Sequence, residues 1–84
     1  MAFSCTVHST EGTQVYSDVR SITCLTPSGE IEILPGHAEA FFFLSAGPLR
    51  VEASQETGLS VLLSNAVCHV TGDTVDIIVG LQPL

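Results

Sequence analysis

Apolar residues return at every second position through most of this chain of 84 residues. Phe3, Cys5 and Val7 alternate with Ser4, Thr6 and His8, and Leu49, Val51 and Ala53 alternate with Arg50, Glu52 and Ser54. The sets Leu59, Val61, Leu63, then Ala66, Cys68, Val70, then Val75, Ile77, Val79 follow the same rule. Successive side chains of an extended strand point to opposite faces, so each set lines one side of a sheet. A helix would need a period of 3.6, and no window keeps one without meeting glycine or proline. Turn signals divide the runs: Glu11-Gly12, Pro27-Ser28-Gly29, Pro35-Gly36, Gly47-Pro48, Glu56-Thr57-Gly58 and Gly72-Asp73. They recur about every 8 to 12 residues, as in a sandwich or barrel. The pattern predicts an all-β fold in one domain over residues 1–84, with no linker or repeat. Between Val15 and Leu25 the alternation slips, because Val19 and Ile22 are out of phase. That predicts a bulge or bend near Arg20-Ser21.

A chain this short has little core to spare, since ordering costs about 1.5 kcal/mol per residue and nearly cancels the gain from burial. With 45% hydrophobic residues it is no disordered segment. Only 13% of residues are charged and lysine is absent, a thin polar coat that points to a surface covered by something else. The formal net charge is −7, with Arg20 and Arg50 the only fixed cations. That excludes nucleic acid as a partner, because phosphates are neutralised by clustered Lys and Arg. Direct docking on an anionic membrane is disfavoured for the same reason. Cys5, Cys24 and Cys68 are odd in number and widely spaced, so they read as reduced core residues of a cytosolic protein. The opening "MAFSCTVHS" has neither the basic region nor the apolar run of a signal peptide. No apolar window approaches the roughly 20 residues that span a bilayer.

The stretch "GEIEILPGHAEAFFFL", Gly29 to Leu44, concentrates the candidate chemistry. His37 and Glu39 form an H-x-E, which zinc deaminases use, but the P-C-x-x-C that completes their ligand set is missing. Glu30 and Glu32 are two apart and share a strand face, which suits a solvated face better than a metal site. Cys68 and His69 are adjacent, so on a strand they point apart and cannot act as nucleophile and base. No metal, cofactor or catalytic residue is expected. In the phenylalanine run, Phe41 and Phe43 face one way and Phe42 and Leu44 the other. The run serves either as core on both faces or as a docking patch, since aromatics are enriched in interface cores.

These residues resemble the N-terminal domain of the epsilon subunit of F-type ATP synthases. The central family pattern, roughly G-E-x-G-I-x-P-G-H-A-P, is similar to "GEIEILPGHAE" here. Before it, "VYSDVRSITCLTPSGE" is similar to V-F-S-G-x-V-x-x-I-x-V-x-T-x-x-G-E; after it, "FLSAGPLRVE" and "LLSNAVCHVTGDTVDIIV" match in order. The resemblance runs from about Phe3 to Gly80. Glu32 stands where the family often has glycine, Glu39 where it has proline, and Ser64-Asn65-Ala66 where a glycine-rich turn is usual.

The resemblance implies a flattened sandwich of two packed β-sheets. It implies a non-catalytic central-stalk subunit of a proton- or sodium-driven ATP synthase, which binds the gamma subunit and the c-ring and helps couple rotation to synthesis. The membrane is then met only through the complex, on the cytoplasmic face of the bacterial plasma membrane. Matching residue by residue, docking falls to Glu30, His37, Ala38 and Phe42, with Phe42 partly exposed in the free domain and buried in the complex. Family members continue into a C-terminal helical hairpin and nothing here follows Leu84, so a naturally short member without the hairpin's regulatory roles is expected. The reading from another class is a stand-alone β-sandwich that binds a small ligand or its own copy.

Overall fold

The computed structural model describes residues 2–54 and 58–80, and all of its regular structure is strand. The strands are β1 (Phe3–Ser9), β2 (Gly12–Thr26), β3 (Gly29–Ile33) and β4 (Ala40–Leu44), then β5 (Gly47–Ala53), β6 (Leu59–Leu63), β7 (Ala66–Thr71) and β8 (Thr74–Val79). Hydrogen-bonded neighbours run β4-β7-β8-β1-β2-β5-β6, with β3 on the far part of β2. The Glu56-Thr57 part of one turn signal and the ending after Gly80 lie outside the described residues.

The long strand β2 is what turns this path into two layers. Its first part pairs with β1, from Ser9↔Gly12 to Phe3↔Val19. Its second part pairs with β3 on one edge, through Ile22↔Ile33 and Cys24↔Ile31, and with β5 on the other, through Ile22↔Val51. One sheet is therefore β4-β7-β8-β1 with the start of β2, and the other is β3, the end of β2, β5 and β6. The change of direction falls where the alternation slipped. Against β1, Ser17 and Asp18 together oppose Ser4, and against β5, Arg20 is the extra residue between Val19↔Ala53 and Ser21↔Glu52. An extra residue on one strand bends it and increases its twist. Asp18 takes φ +54, a conformation that Asp tolerates better than most residues, and its carbonyl accepts the Ser54 N–H at 3.0 Å.

The alternating sets meet between the layers. Phe3, Cys5, Val7, Cys68, Val70 and Ile77 come from the first sheet, and Ile22, Cys24, Ile33, Leu49, Val51 and Leu63 from the second; all are buried. No polar or charged side chain is buried among the described residues. Leu59 and Val61 are only half-buried, because β6 ends its sheet and has a neighbour on one side only. Burial pushes the Cys5 and Cys68 thiols from the ordinary 9.0 up to about 12, and Cys24 up to about 11. All three are free thiols that stay protonated, as expected of inert core cysteines.

At one seam the layers are clipped together, the Ser45 N–H donating to the Leu25 carbonyl at 2.9 Å. Gly47 follows at φ +153, a backbone that side chains rarely adopt, and a Cβ there would stand 2.7 Å from Leu25 Cδ1, which would have to shift.

Candidate protein-docking face

Strand register decides which phenylalanines face out. Phe42 pairs with Cys68 and Leu44 with Ala66, both buried positions, so this side of β4 turns inward. Phe42 is half-buried and packs against the core. Phe41 and Phe43 pair with His69 and Val67 and stand 69% and 75% exposed. The outward pair is thus Phe41 and Phe43, while Phe42, assigned to docking by the resemblance, is on the inward side and half-buried.

The outer side of the first sheet can be read across its strands as two rows. One runs Phe41, His69, Asp76, Thr6, Val15, each residue the register partner of the next. The other runs Phe43, Val67, Ile78, His8, Thr13. Phe43, Val67 and Ile78 form an unbroken apolar strip over β4, β7 and β8, with Phe41 beside it, and Val15, 64% exposed, lies at the far margin. A contiguous exposed apolar patch of this kind marks an interaction surface more often than chance solvent exposure does.

Two carboxylate–imidazole pairs lie in and beside this patch. His69 Nε2 is 3.1 Å from Glu39 Oε2, and its ring stacks on Phe41 at 4.1 Å between centroids and 3° between planes. His8 Nε2 is 3.4 Å from Asp76 Oδ1. Neither pair was legible in the sequence, because the partners of one are 30 residues apart and of the other 68.

The Pro-Gly stretch forms a tight turn at one end of the sandwich. The His37 N–H donates to the Leu34 carbonyl at 3.2 Å, with Pro35 in the second turn position and Gly36 at φ +82 in the third, the pattern of a type II turn. The Gly36 N–H reaches the Gly72 carbonyl of the β7–β8 turn at 3.4 Å, which seats the loop against the first sheet. His37 Nδ1–H donates to the Ala38 carbonyl at 2.7 Å, and its ring meets Phe42 edge to face at 6.0 Å. The structure therefore brings His37, Ala38 and Phe42 together. Glu30 stands apart, at the start of β3 beside the β2–β3 turn and exposed on the outer side of the second sheet. The length of β3 separates it from the loop, roughly 15 Å at strand rise.

Among the described residues no three His, Cys, Asp or Glu side chains are placed to hold a metal ion. An open cleft of about 700 Å³ lies between the β1–β2 turn, the end of β6 and Gly80. It lacks the buried polar groups that orient a small ligand.

A profile of the ATP synthase delta/epsilon chain β-sandwich domain matches residues 2–80. The chain belongs to this family. The two-layer architecture is thus that of a delta/epsilon sandwich. Solved structures agree in fold. One similar chain comes from the central stalk and c-ring of the Tetrahymena thermophila mitochondrial ATP synthase, at 17% identity and TM-score 0.75, over 94% of this chain and 63% of that one. Another comes from the Euglena gracilis mitochondrial ATP synthase, solved as OSCP, F1 and c-ring in rotational state 1. It is 27% identical with TM-score 0.81, over 89% of this chain and 48% of that one. This delta/epsilon sandwich therefore spans between about half and just under two thirds of those two chains. Comparison with curated protein sequences gives no match.

Proposed function

We propose that the protein is a non-catalytic central-stalk subunit of a rotary ATP synthase, of the epsilon type, driven by protons or sodium ions. It binds the gamma subunit and the c-ring and helps couple ring rotation to ATP synthesis. The family match over residues 2–80 carries this reading. The exposed aromatic face supports it, because a stalk subunit works through contacts and needs a surface that water alone would not keep. Its place is peripheral, at the cytoplasmic face of a bacterial plasma membrane, reached only through the complex.

In this reading the first sheet's outer face, with Phe41 and Phe43 on its edge strand β4, docks on gamma. The His37-Ala38 loop and Phe42 border that face, and Glu30 engages a second surface at the other end of β3, where the ring loops are met. Glu30, His37, Ala38 and Phe42 thus act at two places. Co-purification with the gamma subunit of the same organism is the test. The wild-type domain retains gamma on a column, and a Phe41→Asp, Phe43→Asp double variant with an unchanged melting curve loses it. Failure of the wild-type domain to bind either gamma or the assembled rotor overturns the reading.

A further inference from the structure

The docking face carries an electrostatic peculiarity that its apolar centre does not require. Its charged and titratable side chains are Glu39, His69, Asp76 and His8. From β4 and the loop before it, His69 meets Glu39 and the Phe41 ring; from β8, Asp76 stands in register beside it. Asp76 is shared with His8 of β1. No fixed cation serves either carboxylate. The chain has no lysine, Arg50 is in register with Thr23 and Ser60 on the outer side of the other sheet, and Arg20 lies at the bulge of β2. Within the chain the partners of these carboxylates are the two imidazoles, at 3.1 and 3.4 Å. A carboxylate buried at an interface without a firm counter-charge opposes binding, so a partner that covers this face must meet both acids.

Resting on the docking reading above, we propose that this face selects a basic partner surface: an apolar strip of gamma flanked by two Arg or Lys side chains that replace His69 and His8 as the partners of Glu39 and Asp76. The exchange is sterically open. Glu39 is 67% exposed at its side chain and uses one oxygen on His69, and Asp76 is 45% exposed. The stack on Phe41 keeps the His69 ring in place when it yields its carboxylate. The acids flank β7, two strand spacings or about 10 Å apart. A helix laid across the strands spans that in about two turns, so cations at i and i+7 would reach both. The chain's net charge of −7 argues against a second copy, whose identical acids would face these.

The test is a calorimetric titration of the intact domain with gamma from the same organism, at two salt concentrations. Glu39→Lys with Asp76→Lys is expected to weaken binding at least a hundredfold with the melting curve retained. Glu39→Gln with Asp76→Asn weakens it less and flattens the salt dependence. His69→Gln with His8→Gln changes the affinity less than about threefold, because gamma's cations take over both carboxylates. Reversal variants that bind like wild type overturn the proposal and leave docking standing, provided Phe41→Asp with Phe43→Asp still abolishes binding. No binding by wild type under any condition overturns both. A dimer of the domain that the reversals dissolve, seen by sedimentation, also overturns it.

Discussion

The two outer faces of the sandwich are built from the same kind of strand and are finished differently. On the second sheet, Glu32, Thr23, Arg50 and Ser60 follow one another in register across β3, β2, β5 and β6, a row that water solvates without help. On the first, the corresponding rows carry Phe41, Phe43, Val67 and Ile78. Both faces close over one buried interior, so the core does not require the aromatics to be where they are. The difference is one of degree: the first face gathers its exposed apolar residues into a strip over three strands, whereas the second meets solvent along this row and exposes Leu62 at its β6 edge.

The largest expected effect breaks the comparison if it fails. Phe41→Asp with Phe43→Asp is expected to cost gamma binding about 4 kcal/mol, roughly a thousandfold, since central interface aromatics contribute about 2 kcal/mol or more each. Arg50→Gln with Glu32→Gln on the other face changes the dissociation constant less than about threefold, in line with exposed charges at or beyond a rim. Equal losses from both pairs, measured by calorimetry, would remove the distinction.

A second expectation tests the shared interior. The three thiols have raised folded-state values, so both states are protonated below the ordinary 9.0 and their contribution to stability there is constant. Above pH 9 the unfolded chain ionises while the folded one does not, and stability falls until about pH 11 to 12. Each thiol loses on the order of 1 kcal/mol per pH unit, or roughly 3 kcal/mol for the three by pH 10. Urea melts at pH 8, 9 and 10 with reductant measure it, and Cys68→Val is expected to reduce the slope by about a third. A flat profile would mean that the cysteines are not buried as described.

The phase of β4 gives a third, smaller test. Phe42→Ala is expected to cost about 2 kcal/mol of folding stability, below the roughly 3–5 kcal/mol of a fully buried phenylalanine because Phe42 is half-buried. Phe43→Ala costs less than about 0.5 kcal/mol. Thermal melts that reverse this order would turn the strand over and exchange the faces. The smallest expected change is at the bulge. Asp18→Gly alters stability by less than about 1 kcal/mol, because φ +54 is open to both residues, whereas Asp18→Val costs more for its branched Cβ.

Much of the architecture was legible because period-two burial is local. The sets from β1, β5, β7 and β8 face the core as their spacing predicts, with Val79 half-buried at the end of β8, and the slip at Arg20-Ser21 is a real bulge. The orientation of Phe41-Phe42-Phe43 was not legible, since three aromatics in a row satisfy either phase and only the register with β7 chooses. Leu59 and Val61 fit the alternation but are half-buried, because periodicity identifies a side and not whether a neighbouring strand covers it. The proposed site was legible only in part. His37 and Ala38 could be placed on a Pro-Gly turn, but the His69–Glu39 and His8–Asp76 pairs depend on long-range pairing that no local pattern encodes.

The membership of β2 in both layers has a mechanical meaning. Two sheets held only by side-chain contact can slide over one another when pushed sideways. Here a single backbone runs from one into the other, bonded to β1 at its start and to β3 and β5 at its end. Sliding the layers would load several ladder hydrogen bonds together in shear, instead of opening them one by one as in peeling a strand from an edge. A push delivered to the aromatic face therefore reaches the polar face through covalent chain. In the stalk role proposed above, such a block would pass torque with little give, its compliance left to the turns.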